Sequence, residues 1–401
     1  MNPYIKRLHP YPFERLSGLL SNATPPAGKE VISLSIGEPR HEPPQFIIEA
    51  LERHTLDGLA RYPMARGIPE LRQAMARAMV RRYALDADSL DPDSQVLPMT
   101  GTREGLFSLI QAIIDPRERK PVVIMPNPFY QIYEGATLLA GAEPWYLNTP
   151  GETGFLPDFA NVPDEIWSRC QALVLCSPGN PTGAVMSAGD WQKAFELADT
   201  HDFTVVADEC YADLYTDESR PPPGALETAA ALGRHGFERL VTLHSLSKRS
   251  SVPGLRSGLA AGDEKIIEPF AQYRTYHGCA MALPAQHASI EAWNDIEHVT
   301  ENRHRYQTKF ATARRILEPV IDIRIPAGAF YLWLKAPSGD DERFAHDLYV
   351  REGLITLPGR YLSRPTSSGD PGVGYVRVSL VPDEKTCEDA LTRLASFIET
   401  L

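Results

Sequence analysis

The chain has 401 residues, 43% of them hydrophobic and 23% charged, with 40 Lys and Arg against 52 Asp and Glu for a formal net charge of −12. Such a length suggests two domains, and the apolar fraction is ordinary for a globular enzyme. The negative balance argues against nonspecific binding of nucleic acid or anionic membrane, which needs a basic surface.

Residues 1–30, rich in Pro, Tyr and polar groups, read as an arm rather than a core element. Pro43-Pro44 opens a helix over about 45–55, and Gly67-Ile68-Pro69 begins another, with Pro in its first turn. Thr100-Gly101-Thr102 precedes Leu106, Leu109, Ile110 and Ile113 at helical spacing. Two small residues at a helix N-terminus leave N–H groups and the dipole free for a phosphate; a simple N-cap accounts for them equally well. To about residue 283, short apolar runs alternate with helix-period stretches, the pattern of βα units and a mostly parallel sheet. Arg220-Pro221-Pro222-Pro223-Gly224 reads as a surface loop, and 284–317 as one long helix bridging into a second domain. The rest predicts strands near 321–325, 329–334 and 373–381 and helices near 340–353 and 383–399, an α+β pattern. The Ser-, Gly-, Pro- and Thr-rich stretch 363–374 is the one expected mobile loop.

The five cysteines, at 170, 176, 210, 279 and 387, are scattered and lack CxxC spacing, as expected of reduced thiols in a cytoplasmic protein. No apolar stretch follows Met1–Arg7, and no run approaches transmembrane length. The eleven histidines form no HxxxH or HxH pair, so no metal site is expected.

Three apolar runs end in polar groups. Ala172–Cys176 leads into Ser177-Pro178-Gly179-Asn180-Pro181-Thr182-Gly183, Phe203–Ala207 into Asp208, and Leu240–Leu243 into Ser245-Leu246-Ser247-Lys248, with Arg256 eight residues on. In open α/β sheets ligands bind at the carboxyl ends of the strands. An amine desolvated there favours its neutral, nucleophilic form and condenses with an aldehyde, and hydroxyls with a guanidinium hold a phosphate. Carboxylate, asparagine, tyrosine and lysine together match the needs of pyridoxal phosphate: the acid keeps the pyridine nitrogen protonated and the lysine makes the Schiff base. Singly, these residues are a turn, a capping Asp and an ordinary Lys. Tyr130 reads equally as a core aromatic. Arg377 lies in an alternating strand pattern, where a bidentate fork suits a carboxylate. Gly37 fits a turn or a close backbone approach.

From Ile36-Gly37-Glu38-Pro39 through Tyr375-Val376-Arg377-Val378-Ser379 the chain resembles the fold-type I pyridoxal-phosphate aminotransferases of class I/II. The resemblance implies an α/β fold with a large, mostly parallel-sheet domain (residues 41–290), a smaller α+β domain (291–401), and residues 1–40 as an arm and part of the small domain. It implies that Lys248 holds the cofactor covalently and shuttles the proton, with Asp208 on the pyridinium nitrogen and Asn180 and Tyr211 on the ring hydroxyl. Ser245, Ser247, Arg256 and the backbone of Gly101 and Thr102 would hold the phosphate, and Tyr130 would stack on the ring. Tyr62 would reach the phosphate from the neighbouring subunit of a homodimer. Arg377 would grip the substrate α-carboxylate, with Gly37 and Asn180 beside it.

The segments 247–258 and Pro128-Phe129-Tyr130-Gln131-Ile132-Tyr133-Glu134-Gly135, with Gln131 where many relatives have proline, are similar to the N-succinyldiaminopimelate aminotransferases of bacterial lysine biosynthesis. That implies transamination between N-succinyl-LL-2,6-diaminopimelate and 2-oxoglutarate. Alanine or aspartate specificity, or a β-lyase, stays open. A regulator built on this fold carries an added N-terminal DNA-binding domain, whereas only a short arm precedes residue 31 here.

Overall fold

The computed structural model describes residues 1–118 and 120–401. A seven-stranded sheet runs in the order Val96–Met99, Gly258–Gly262, Leu240–Ser245, Thr204–Asp208, Cys170–Cys176, Val122–Asn127, Glu143–Asn148. Gly258–Gly262 is antiparallel to both its neighbours, and the other pairings are parallel. The central strands are continuous apolar runs because helices cover both faces. Val122, Ile124, Leu173 and Leu175 pack into one layer, with the helices Pro69–Tyr83, Ala188–His201 and Leu283–Asn294. Their alternates Val123, Met125, Ala172 and Val174 pack into the other, with Thr102–Ile113, Ile132–Leu139 and Glu264–His277. The Val, Ile, Leu and Met side chains among these each contribute about 1.5–3 kcal/mol when fully buried.

A second, antiparallel sheet has the order Leu357–Pro358, Tyr375–Ser379, Tyr331–Lys335. Its apolar face carries Leu332, Val376 and Val378 against Phe310, Leu348 and Leu391 of the helices Glu297–Leu317, Asp341–Glu352 and Glu384–Ile398. Ile32–Ser33 pairs in parallel with Leu354–Ile355 and so brings the start of the chain to this second unit.

Several expectations need correction. The stretch 284–317 is two helices, Leu283–Asn294 and Glu297–Leu317. Asp295 is extended and its carboxylate accepts from the His298 N–H, a capping arrangement that turns the chain. Residues 321–325 form no strand: Ile321, Ile323 and Ile325 alternate and pack on the second core, but their backbone joins no ladder. The first helix after Pro44 ends at Arg53. The expected arm holds a helix, Pro12–Leu20, whose Leu16 is buried with Trp333, Leu357 and Tyr361. The expected mobile loop is tied down: Asn127 Nδ2 donates to the Arg364 carbonyl at 2.7 Å, the Arg364 guanidinium pairs with Glu134, and Asn148 Nδ2 donates to Thr366. No described helix is long and apolar enough to cross a membrane.

Candidate active site

A cavity of about 650 Å³ opens between the carboxyl edge of the large sheet and the second sheet. Three strand ends deliver its floor: Asp208 closes Thr204–Asp208, Asn180 follows Cys170–Cys176, and Lys248 follows Leu240–Ser245 in a single helical turn, Leu246–Arg249. Asp208, Asn180, Tyr211, Ser245, Ser247, Lys248, Arg256, Thr102, Tyr130, Gly37 and Arg377 all line this cavity. Two predicted residues are exceptions: Gly101 stands just behind the lining, next to Thr102, and the Tyr62 side chain is fully exposed and lies outside the cleft of its own chain.

Asp208 is buried, with Oδ2 accepting from the Tyr133 hydroxyl at 2.5 Å and Oδ1 from the Cys210 N–H at 3.3 Å. Neither partner is cationic, and burial raises its pKa above the ordinary carboxylate value. A buried carboxylate so placed calls for a cationic N–H donor in the cavity. Lys248 Nζ donates to the Gly37 carbonyl and lies 5.5 Å from the Phe330 ring centroid. Desolvation, with the Arg377 guanidinium acting in the same direction, lowers its pKa to about 8, so a neutral amine is accessible near neutrality. The Tyr211 hydroxyl shares a 2.8 Å hydrogen bond with Tyr331.

Arg377, on the strand Tyr375–Ser379, is 4% exposed, contrary to the usual habit of strand arginines. Nη1 donates to Asn180 Oδ1 at 2.9 Å, Nη2 to the Ser35 carbonyl at 2.6 Å, and the guanidinium stacks on Tyr331. Its Nε is buried and has no hydrogen-bond partner among the described residues. At the other end of the cavity Gly101 caps the helix Thr102–Ile113 with φ +86°, and a β-carbon there would collide with the Arg256 guanidinium. Arg256 donates to the carbonyls of Pro253 and Thr100, leaving an open corner of helix N–H groups, serine hydroxyls and a guanidinium. A phosphate at this corner, a ring nitrogen at Asp208 and an aldehyde at Lys248 are the groups of pyridoxal phosphate, and the donor set fits it.

Sequence reasoning passed over Tyr133, Tyr331, Ser35, Arg103 and the mouth residues Tyr11, Pro12 and Phe13. Arg103 Nε donates to the Tyr130 hydroxyl at 2.8 Å, so the second residue of the helix helps fix that ring. For Tyr133 a signal existed: it lies three residues after Tyr130, at helical spacing. Glu104, His277 and Cys279 also come together, with ligand atoms within 4.8 Å of one another. His277 and Cys279 are two apart in sequence but Glu104 is remote from both, and its carboxylate is engaged by the buried Arg274 guanidinium.

The aminotransferase class I and II family pattern matches residues 29–394. An LL-diaminopimelate aminotransferase of Dehalococcoides mccartyi is 32% identical over 399 residues, 98% of this chain and 97% of that protein. The crystal structure of an aminotransferase from Neisseria meningitidis superposes with a TM-score of 0.95 at 46% identity, covering 99% of this chain and 100% of that one. An aminotransferase from Helicobacter pylori gives a TM-score of 0.90 at 36% identity, covering 98% and 100%. With a cleft that fits the cofactor and a match along nearly the whole length, the chain belongs to the class I and II aminotransferases, enzymes that depend on pyridoxal phosphate.

Proposed function

We propose that the cleft moves an amino group between an amino acid and a keto acid, with Lys248 as the amine that carries the cofactor and transfers the proton. The observation that carries this reading is the Lys248 amine, lowered to about 8, in one cavity with buried Asp208 and Arg377. Pyridoxal phosphate supplies an aldehyde for condensation and a ring that withdraws electrons from the substrate carbon. Asp208 would hold the ring-nitrogen proton, Asn180 and Tyr211 would bind the ring oxygen, and Tyr130 would lie against the ring. Gly101, Thr102, Ser245, Ser247 and Arg256 would hold the phosphate. Arg377 turns its fork to the substrate carboxylate, beside Asn180 and Gly37, which sets the Cα–H bond toward Lys248 Nζ.

Tyr62 completes the phosphate site of a second copy in this reading. Leu56, Leu59, Tyr62 and Met64, all strongly exposed on one short segment, support a homodimer. The reading also keeps the division into a large domain, 41–290, and a small one, 291–401, supported by the separate apolar cores of the two sheets.

The finer reading is N-succinyl-LL-2,6-diaminopimelate as donor and 2-oxoglutarate as acceptor, favoured by the segments 128–135 and 247–258. A second reading, free LL-diaminopimelate, is favoured by the name of the D. mccartyi relative. Both donors should be assayed against 2-oxoglutarate beside alanine and aspartate, scored by glutamate formation. The succinylated donor is expected to give the highest kcat/KM. Faster reaction of the free diamine selects the second reading, and activity with alanine or aspartate alone removes both.

A further inference from the structure

A second buried lysine lies behind the cleft. Lys309 is 1% exposed on the helix Glu297–Leu317, yet its ammonium meets no carboxylate: Nζ donates to His41 Nε2 at 2.6 Å and to the Leu380 carbonyl at 3.1 Å. Burial lowers its pKa to about 8, against the weaker opposing pull of Cys387 and of Glu384 and Asp383, whose carboxylates lie beyond ion-pair distance, so an apolar side chain of similar volume would be expected to serve stability as well or better.

The bonds leading from Lys309 have one consistent direction. Asn302, two helical turns before Lys309 on the same face, donates from Nδ2 to the carbonyls of Lys248 at 3.0 Å and Arg249 at 3.1 Å. Two carbonyls can only accept, so this end of the amide is its NH2 group and Oδ1 is left as an acceptor. Oδ1 lies 2.8 Å from His41 Nδ1, which therefore carries the proton. The opposite nitrogen, Nε2, then accepts from Lys309. Burial, with Lys309 nearby, holds the His41 pKa down to about 4, in keeping with a neutral ring of this single tautomer. Tyr306 packs against the His41 ring, 4.7 Å between centroids, and Ser251 donates to the His41 carbonyl at 3.0 Å.

The two ends of the path are the main chain of Lys248 and the residue that follows the strand bearing Arg377. Its middle, His41, anchors the segment that contains Gly37, whose carbonyl receives Lys248 Nζ. We propose that Lys309, His41 and Asn302 form a polarised relay that fixes the main chain of Lys248 relative to the strand of Arg377, making Lys309 a positioning residue for the reacting amine. The proposal rests on Lys248 being that amine. Without the Lys309 donor, His41 Nε2 loses its partner in a buried site, so the ring and the segment that carries it lose their tie to the Leu380 carbonyl and the Asn302 clamp on the two carbonyls slackens.

The test uses the full-length holoenzyme with Lys309→Met. Thermal stability is expected to hold or rise, while kcat falls about tenfold, a fraction of the loss that an ångström-scale misplacement produces, and KM for the amino donor is unchanged. Backbone amide exchange in 247–252 should quicken in the same variant. A second pair covers a folding failure: His41→Gln keeps one donor and one acceptor and should retain most of kcat, whereas His41→Leu should lose it. Wild-type kcat in Lys309→Met, or equal losses in both His41 variants, overturns the relay. Failure of the underlying reading looks different, since Lys248→Ala would then still be labelled by cofactor and borohydride.

Discussion

The two walls of the cleft are built on opposite plans. On the sheet edge, Asp208 is the last residue of its strand and Asn180 and Lys248 follow the ends of theirs, so the main chain itself delivers them. The facing wall is assembled from Ser35, Gly37, Tyr331 and Arg377, and it is held by side-chain bonds that cross to the edge: Arg377 to Asn180, Tyr331 to Tyr211, Lys248 to Gly37. In the proposed reading the edge therefore carries the chemistry on rigid supports and the facing wall carries orientation, its parts holding one another.

Substitutions on the two walls should accordingly fail in different ways. The largest loss is expected for Lys248→Ala on the edge: a folded protein that binds the cofactor noncovalently, is not labelled on borohydride reduction and does not transaminate. Asp208→Asn should lose on the order of 10²–10³-fold in kcat at saturating cofactor, because an amide cannot hold charge at the ring nitrogen; near-normal turnover would break the assignment of chemistry to the edge.

Arg377→Lys on the facing wall keeps the charge and loses the planar fork. Single-turnover rates should fall roughly 10²-fold for every donor, short or long, with cofactor affinity untouched. Selective loss of long or dicarboxylic donors would show that Arg377 reads the distal end instead. The pH dependence sharpens the same contrast. In cofactor-free protein, the neutral fraction of Lys248 should rise about tenfold per pH unit and level off above about 8, whereas an ordinary lysine would climb to about 10.4. Stopped-flow absorbance of covalent cofactor capture reads this directly. The smallest effect is expected for Gly101→Ala: cofactor affinity should weaken by about tenfold, the strain of a positive φ plus a displaced guanidinium amounting to 1–2 kcal/mol. Equilibrium titration with cofactor measures it, and unchanged affinity would move the phosphate away from this corner.

The edge was legible because strand ends are local events. An apolar run and the polar residue after it sit side by side in sequence, so Asp208 and Lys248 could be singled out without knowing the fold. Arg377 and Gly37 came from the family resemblance, since alternation alone could not say which face of the strand was buried. Tyr331 and Ser35 escaped because their roles depend on partners some 120 and 340 residues away. The same reasoning explains the mistaken strand at 321–325: alternating isoleucines report a buried face correctly, but a ladder needs a neighbour that the sequence does not display. The Asp295 break was in principle readable, a capping residue set within an otherwise helical stretch.

The pairing of Ile32–Ser33 with Leu354–Ile355 also has a consequence for biogenesis. These first strand residues have no sheet partner until more than three hundred further residues have been made. At roughly 5–20 residues per second that interval is tens of seconds, during which the large sheet can form while the Pro12–Leu20 helix and the strand behind it wait uncovered. A nascent chain could thus acquire Gly101, Arg256 and Lys248 before it acquires Arg377, and under the proposed roles a ribosome stalled before residue 377 would carry a cofactor site that has no means of orienting a substrate.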